Sequence, residues 1–358
     1  MRHLSWTQTP ATALTTTAAD WDRLSAARLD LPFMSASAMT AALAAFGSGR
    51  ERLFTCRDGS RVVAMFLLEP QGRWRWSSFQ PSQMPLGAWV AEPGLTLDAL
   101  TRSLIGGPLS LCLVLSITQV DPLVEPRADD GPATQHSDYI ETGWVDIEGS
   151  FADYWAARGK NLRQNLRKQR NKLAAEGIVM RMRVLSQPDE MAPALARYGA
   201  LESAGWKADR GTSIHPDNAQ GRFYTQLFVE AAQRGEAFIY EYLFDERTVA
   251  MNLCLLRGGV LVVLKTTYDE SIKLYSPASL LREDELQSFF AEGRIRRVEY
   301  YGRLMEWHTK LTDRKRSLHH LTVYRWPLLK KLAERRRAAQ AAAAPVPAQA
   351  PADTAEAA

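Results

Sequence analysis

One stretch of the chain constrains its fold more than any other. An apolar, β-branched run, LVVLKTTYD, begins at Leu261 and leads through a short loop, ESIKLY, into SPASLLREDELQSFF. β-Branched and aromatic residues favour a strand, whereas Ser276 suits a helix N-cap and Pro277 suits the first helical position. The sequence therefore predicts a strand, a loop and a helix between Leu261 and Phe290.

The predicted helix start at Ser276 is a candidate anion site. The first N–H groups of a helix have no intrahelical partners and lie at the positive end of the helix dipole, so they can bind phosphate or pyrophosphate. Lys265 and Lys273 lie nearby in sequence. A well-capped helix without a ligand explains the same spacing, and the residues alone leave both interpretations open.

A basic helix is predicted before this region, over Phe151–Ala175. Trp155, Leu162, Leu166 and Leu173 fall at spacings typical of one helix face. The remaining positions carry Arg158, Lys160, Arg163, Arg167, Lys168, Arg170 and Lys172. Such a face could meet nucleic acid, an anionic glycan or cofactor phosphates, and a solvated face whose side chains cover the core edge is the simpler alternative.

Two further segments hold candidate site residues. ESAGWK, which begins at Glu202 and includes Trp206 and Lys207, ends a helical pattern and could shape an acceptor pocket. YYGR, which begins at Tyr300, follows a strand-like stretch and precedes Lys310. It places protonatable groups at a strand end, where sites of α/β proteins commonly lie. For each segment, a core aromatic beside a turn or a solvated lysine is the structural alternative.

Composition and missing motifs exclude several classes of function. The 358 residues exceed one typical domain, and the net charge of +4 does not by itself imply nucleic acid. The chain lacks HExxH, GxSxG, Walker and GxGxxG patterns, which removes the usual support for hydrolase, kinase and dehydrogenase activities. Three separated cysteines and the absence of a signal peptide or a membrane span lead us to expect a soluble, cytoplasmic protein with reduced thiols.

Four ordered motifs in the second half resemble one known family. They are FADYWAARGKNLRQNLRKQRNKLAAEG, ESAGWKADRGTSI, LKTTYDESIKLYSPASLL and YYGRLMEWHTKLTDRKRSLHHLTVYR. Together they resemble the BioF2-like or CelD-like acetyltransferase domain of the GNAT superfamily, and the whole chain is similar in layout to tandem-GNAT, FemAB-like proteins. The resemblance implies an α+β fold of two GNAT-like units, each a mixed, mostly antiparallel sheet flanked by helices.

The predicted division has three parts. Residues 1–148 form an N-terminal GNAT-like half, and residues 149–330 form the C-terminal GNAT domain. Residues 331–358 are rich in Ala and Pro after a basic run. Because such a segment buries little apolar area, we expect a disordered tail.

The resemblance also implies an acyl-CoA co-substrate, acetyl-CoA or another acyl-CoA, and no metal. The residues expected to bind this cofactor are Lys265, Thr266, Ser276, Pro277, Ala278, Ser279 and Leu280. The residues expected to bind the acceptor are Glu202, Trp206, Lys207, Arg303 and Lys310. Asp269 and Tyr301 are the candidates for proton transfer in a direct attack of the acceptor on the thioester.

The predicted function is N-acylation of an amine on a small molecule, a sugar or a cell-envelope or polysaccharide precursor, with no DNA partner and no membrane span. A FemAB-like aminoacyltransferase that uses aminoacyl-tRNA is one alternative. A non-catalytic GNAT-like binding protein in exopolysaccharide synthesis is another. Ala278 stands where the family has glycine, and Thr309 stands where it has tyrosine.

Overall fold

The computed structural model describes residues 4–204 and 214–343. The strands in this part of the chain are β1 (Leu4–Pro10), β2 (Arg52–Asp58), β3 (Arg61–Pro70), β4 (Arg75–Ser78), β5 (Trp89–Ala91), β6 (Val114–Val120), β7 (Thr134–Asp146), β8 (Met180–Leu185), β9 (Ala237–Phe244), β10 (Arg247–Arg257), β11 (Val260–Tyr268), β12 (Arg297–Glu299) and β13 (Lys315–Tyr324). The helices are α1 (Ala18–Ala26), α2 (Ala36–Phe46), α3 (Leu97–Gly106), α4 (Phe151–Ala156), α5 (Lys160–Ala175), α6 (Pro188–Ser203), α7 (Ala219–Gln233), α8 (Pro277–Glu292), α9 (Glu306–Thr309) and α10 (Pro327–Ala343).

Short polar side chains start several of these helices. Ser35, Thr96 and Asn218 accept hydrogen bonds from first-turn N–H groups of α2, α3 and α7. Such caps satisfy donors that the helix itself leaves unpaired. Gly293 ends α8 with a φ of +66°, a conformation that glycine adopts without strain. Local sequence therefore defines these helix ends.

The strands form one mixed sheet in the order β1-β2-β3-β4-β6-β13-β7-β12-β11-β10-β9-β8, with β5 beside β3. The pair β4–β6 is parallel, as is β11–β12. Each half thus has four antiparallel strands followed by one parallel neighbour. The halves exchange their last strands, since β7 pairs with β12 and β13 pairs with β6. The predicted α+β fold of two similar units is confirmed, and β13 crosses the division predicted after residue 148.

Helices cover both faces of the sheet. On one face, α1, α2, α6 and α7 share a core that includes Trp21, Phe33 and Phe228. Helices α2 and α7 meet there, with the ring centroids of Phe46 and Phe223 5.3 Å apart. On the opposite face, α3 and α8 each cover a separate core. Because full burial of a large apolar side chain stabilises a fold by about 1.5–3 kcal/mol, the shared core holds the two halves together.

The basic segment 151–175 forms two helices rather than the single predicted one. Helix α4 ends at Ala156, and α5 begins at Lys160 after Gly159, whose φ of −53° and ψ of 133° are not helical. Glycine has low helix propensity, so a break there costs little. The predicted apolar face persists across the break, because Leu166 and Leu173 of α5 are buried and Trp155 of α4 packs partly buried against the same core.

The prediction of a disordered tail is wrong for residues 331–343, because α10 continues to Ala343. Lys, Arg, Leu and Ala favour helix strongly. The helix is also anchored, because the Lys330 ammonium donates to the carbonyl of Thr134 and lies 3.3 Å from an Asp130 carboxylate oxygen. Residues 344–358 lie outside the described part of the chain.

The three cysteines are buried as free thiols, as their apolar surroundings predict. Among the described residues, no helix combines the length and apolar character needed to cross a bilayer. The same residues contain no group of three His, Cys, Asp or Glu side chains placed to hold a metal ion.

A buried ionic network joins the halves where β13 and β12 lie on either side of β7. The Arg316 guanidinium donates to both carboxylate oxygens of Asp121, at 2.9 and 2.7 Å, and to Glu299 at 2.9 Å. The Tyr301 hydroxyl donates to Asp121 at 2.8 Å. Burial raises the pKa of Glu299 to about 7, although Arg316 opposes that shift. Arg316 thus holds two buried carboxyl groups from different halves of the chain.

Replacing Arg316 by methionine tests this network. The variant leaves Asp121 and Glu299 buried without their shared cation, and we expect the free energy of unfolding in urea to fall by about 3–5 kcal/mol. The matched control is Arg314→Met, because the Arg314 side chain is 71% exposed and lies 3.9 Å from Asp146. The control should change stability by less than about 0.5 kcal/mol. Equal losses in both variants would contradict the assigned role of Arg316.

Candidate functional site

Strands β11 and β12 run parallel for three residue pairs and then separate. The pairs are Val260–Arg297, Leu261–Val298 and Val262–Glu299. Beyond them, a cavity of about 290 Å³ lies between residues 263–266 of β11 and the segment 300–308. Parallel strands that part leave backbone polar groups facing the gap, where an extended ligand can pair with them. The gap is therefore suited to a long, amide-containing molecule.

A β-bulge in β11 decides which way the side chains at this gap point. Leu264 is an extra residue opposite Leu253 and Cys254 of β10. Side chains alternate along a regular strand, and one extra residue interrupts the alternation. Leu264 packs on the α6–α7 face, and Lys265 also points there, whereas Thr266 faces α8.

A second cavity, of about 590 Å³, opens on the α6–α7 face. Residues 263–265, Tyr300 and Gly302 line both cavities, so the two are neighbours across the gap. Its polar lining from the N-terminal half consists of Gln80, Ser82, Gln83, Gln119 and Tyr139. Its polar lining from the C-terminal half consists of Glu202, Gln220, Tyr224, Lys265, Tyr300 and Tyr301. Both halves therefore build this larger cavity.

Glu202 and Lys265 form an ion pair at the larger cavity, with a Glu202 oxygen 3.1 Å from the Lys265 ammonium and the Glu202 side chain 1% exposed. The N–H of Ile214 donates to the other Glu202 oxygen at 3.0 Å. The Lys265 ammonium also lies 3.4 Å from the side-chain oxygen of Gln220. A buried carboxylate held in this way can bind an amine or accept a proton from it.

The predicted anion site at the start of α8 has the expected position but not the expected cap. Ser276 is the N-cap residue with a φ of +53°, and its side chain makes no capping hydrogen bond. The N–H groups of Ser279 and Leu280 donate to the Ser276 carbonyl. The Asn165 amide of basic helix α5 lies 3.4 Å from the Ser276 hydroxyl. Ala278 is half-buried, so the first turn borders solvent beside α5.

A cation–aromatic stack forms the α8 side of the smaller cavity. The Arg282 guanidinium lies 3.7 Å from the Trp307 ring centroid, and Trp307 stacks on His308 at 3.5 Å. Burial, aided by the nearby Arg282 charge, lowers the pKa of His308 to about 4. His308 is therefore neutral at pH 7. The sequence gives little signal for His308, because only its position after a strand end indicates a site.

Glu285 lies one turn beyond Arg282 and is buried against β10. The Asn252 amide nitrogen is 2.8 Å from each Glu285 oxygen. Burial raises the pKa of Glu285 to about 8, against the hydrogen bond from Asn252 and the charge of Arg282. The carboxyl group is therefore mostly neutral at pH 7, so that the core around Glu285 does not contain an unfavourable buried negative charge.

The equivalent gap in the N-terminal half is closed. Strands β4 and β6 pair from Arg75–Val114 to Ser77–Ser116. Beyond that point the hydroxyls of Ser78 and Thr118 are 2.8 Å apart, and the Gly87 N–H donates to the Thr118 carbonyl at 3.1 Å. A Cβ at Gly87 would lie 2.4 Å from that carbonyl oxygen. The Gly87 backbone and the hydroxyls of Ser78 and Thr118 thus fill the position between β4 and β6 that corresponds to the open gap between β11 and β12.

The helix start equivalent to that of α8 is also occupied. A Glu125 oxygen accepts the N–H of Leu97, the first residue of α3, at 2.8 Å, and Arg28 pairs with Glu125 at 3.2 Å. The Glu125 carboxylate therefore already binds the positively polarised N-terminus of α3. The N-terminal half therefore has neither the gap nor the free helix start of the C-terminal half.

The structure brings several predicted site residues together. Lys265 and Thr266 line the smaller cavity, and Glu202 and Tyr301 line the larger one. Tyr301 is buried, and its hydroxyl is engaged by Asp121. Trp206 and Lys207 lie outside the described residues.

Other predicted residues lie apart from the cavities. Asp269 lines neither of them, and it pairs with Arg247. Although burial opposes the shift, hydrogen bonds from Ser271 and Arg247 lower the pKa of Asp269, which weakens it as a base. Arg303 is exposed, and Lys310 pairs with Glu306 on the surface. Proton transfer by Asp269 and Tyr301 stays a prediction that this geometry does not favour.

Comparisons with known proteins agree with this architecture. Residues 160–309 match the family model for the acetyltransferase (GNAT) domain. The structure is similar to the C-terminal DUF2156 domain assigned to a lysylphosphatidylglycerol synthetase from Agrobacterium fabrum, with a TM-score of 0.54, 15% identity, and coverage of 90% of this chain and 96% of that one. It is also similar to a conserved protein of unknown function from Bacteroides thetaiotaomicron, with a TM-score of 0.51, 10% identity, and coverage of 90% and 99%.

A third similar structure is a tandem GNAT protein from the clavulanic acid biosynthesis pathway, with a TM-score of 0.48, 14% identity, and coverage of 89% of this chain and 98% of that one. No curated protein matches the sequence at a significant level. The predicted resemblance to the GNAT superfamily is confirmed by the domain match, and the two structures with the higher TM-scores share the fold.

Replacing Glu285 by glutamine tests its neutral state. Because its folded pKa of about 8 exceeds the ordinary value of 4.5, stability from the neutral carboxyl is complete below pH 4.5 and is lost as pH rises through 8. The unfolding free energy of the native protein should therefore fall, relative to that of Glu285→Gln, between pH 5 and 8. Glu292→Gln, at a side chain 47% exposed, is the control. Parallel pH profiles for the native protein and Glu285→Gln would contradict the assignment.

Proposed function

We propose that this chain, whose residues 160–309 carry a GNAT acetyltransferase domain, is an acyl-CoA-dependent N-acyltransferase. The observation that carries the proposal is the gap between the parallel strands β11 and β12, where α8 packs on β11 with the Arg282 guanidinium 3.2 Å from the Thr266 hydroxyl. The first turn of the same helix borders solvent. A thioester with a long amide-containing arm and a pyrophosphate fits that combination of gap and helix start.

The donor lies along β11 in this proposal. The amide groups of its pantetheine arm pair with the backbone of residues 263–266, and its pyrophosphate meets the first turn of α8 at Ser276–Leu280. Helix α5 supplies positive charge beside that turn, where Arg167 and Lys168 are exposed. Ala278 adds one methyl group relative to glycine, which a half-buried first turn can accommodate.

The acceptor amine enters from the larger cavity in this proposal. Its nitrogen attacks the thioester carbon, and Glu202 accepts the proton that the amine loses while Lys265 holds the carboxylate in place. The carbon–sulfur bond then breaks, and the sulfur takes that proton so that CoA leaves as the thiol. The protein then contributes positioning and the exclusion of water rather than a covalent intermediate.

An amino sugar or another cell-envelope or polysaccharide precursor is the acceptor class that we propose. The N-terminal half offers uncharged hydrogen-bonding side chains to the larger cavity, including Gln80, Gln83 and Gln119. Amide and hydroxyl groups of this kind suit a ligand rich in hydroxyls.

An aminoacyl-tRNA donor is the second candidate, favoured by the exposed cations of α5. Binding of tRNA that falls steeply with salt, and that is lost when the exposed Arg167 and Lys168 are neutralised, would support it. Binding of CoA without turnover of any amine would instead favour a non-catalytic binding protein.

Calorimetry with CoA tests the proposed donor site. We expect micromolar affinity and one CoA per chain, because Glu125 occupies the equivalent helix start in the N-terminal half. Ala278→Glu should abolish binding by placing a carboxylate against the pyrophosphate, whereas Ala278→Gly should retain it. Absence of CoA binding by the native protein would overturn the proposal, and two CoA per chain would contradict the closed N-terminal site.

Replacing Glu202 by glutamine tests the acceptor side. We expect kcat/KM for a reactive amine to fall by about 10²–10⁴-fold, while CoA affinity stays unchanged. Glu246→Gln, at a side chain 92% exposed, is the control. Thermal unfolding of each variant separates loss of fold from loss of chemistry. Unchanged turnover in Glu202→Gln would remove Glu202 from the mechanism.

A further inference from the structure

We infer that His308 acts as a neutral hydrogen-bond donor to the thioester carbonyl in the smaller cavity, an inference that rests on the proposed acyl-CoA reaction. Three observations carry it: the position of the ring, the hydrogen bond that fixes its tautomer, and the packing that fixes its plane.

The position of His308 places it at the reacting end of the donor cavity. It follows the end of β12, and with Trp307 it lines the cavity opposite residues 263–266 of β11. The residue is 4% exposed, so its ring borders the cavity rather than bulk solvent. Because the larger cavity shares Tyr300 and Gly302 with this one, His308 lies near the passage through which the acceptor must reach the donor.

The tautomer of His308 follows from its own helix turn. The N–H of Met305 donates to Nδ1 at 2.8 Å, so Nδ1 carries a lone pair and no proton. A neutral imidazole has one protonated nitrogen, and that nitrogen must be Nε2. The described contacts give Nε2 no protein acceptor, and it remains available to donate to a ligand.

The packing around the ring fixes its plane and its charge state. Trp307 stacks on one side of His308, and Tyr300 meets it edge-on with centroids 4.9 Å apart. The charged group near the ring is Arg282, in the adjoining stack, and the titratable Glu285, one turn further along α8, is mostly neutral at pH 7. An adjacent guanidinium opposes protonation of the imidazole, so the ring donates as a neutral group over the working pH range.

The reaction then proceeds with a balanced set of bonds. As the amine nitrogen bonds to the thioester carbon, negative charge develops on the carbonyl oxygen, and His308 Nε2–H donates a hydrogen bond to it. His308 keeps its proton throughout. When the carbonyl re-forms, the carbon–sulfur bond breaks and the sulfur takes up the proton that left the amine through Glu202. A donor aimed at such an oxyanion contributes about 10²–10³-fold to the rate in other enzymes.

Infrared spectroscopy of bound acetyl-CoA, labelled with ¹³C at the thioester carbonyl, tests the inference without needing the acceptor. A hydrogen bond from His308 should lower the carbonyl stretching frequency relative to free acetyl-CoA. His308→Phe keeps an aromatic ring but has no donor, and it should return the band to the free value while CoA affinity stays within about two-fold. His308→Gln, which keeps an N–H donor, should retain part of the shift. With a reactive amine, His308→Phe should lose about 10²–10³-fold in kcat.

The matched control is Thr309→Ala, whose exposed side chain bonds only to its own helix turn among the described contacts. A native carbonyl band at the free frequency, or a shifted band that persists in His308→Phe, would overturn the role of His308 while leaving the acyl-CoA proposal intact. Failure of acetyl-CoA to bind the native protein at all would overturn both. If His308→Phe does not fold, the native band and His308→Gln still decide the question.

Discussion

The site depends on the way in which β12 ends. After three residues paired with β11, Glu299 is held by Arg316, and the Tyr301 hydroxyl is held by Asp121, to which Arg316 also binds. Tyr301 adopts a φ of +43°, which costs a non-glycine residue roughly 1–2 kcal/mol. The chain cannot continue along β11 from this conformation, so the strands part and a cavity opens between them. An ionic network from both halves of the molecule therefore maintains a gap in one half.

The two halves share an order of elements but differ where a ligand would bind. In the N-terminal half, Gly87 and the Ser78–Thr118 contact fill the gap between the parallel strands. Glu125 satisfies the helix start that α8 leaves beside solvent. The N-terminal half instead supplies one wall of the larger cavity and completes the sheet through β7. Two halves with the same order of elements thus differ at the place that we propose for the donor.

Local pattern predicts much of this fold. The strand predicted from Leu261 and the helix predicted to Phe290 are present as β11 (Val260–Tyr268) and α8 (Pro277–Glu292). The helix start at Ser276 was also predictable, because strand, loop, Ser and Pro follow in order. The direction of the Lys265 side chain was not predictable, because the bulge at Leu264 depends on pairing with β10. In a regular strand, the Lys265 side chain would point toward the α8 face, where we propose that the donor binds. The Arg316–Asp121 contact joins residues far apart in the chain, and no local pattern reveals it.

Hydrogen–deuterium exchange with and without acetyl-CoA tests most directly whether the donor binds where β11 and β12 part. We expect slower exchange in peptides that cover residues 263–268 and 277–282 when acetyl-CoA is present, with no change in α3 (Leu97–Gly106) of the N-terminal half. Protection confined to α3, or unchanged exchange along β11 at saturating acetyl-CoA, would contradict it.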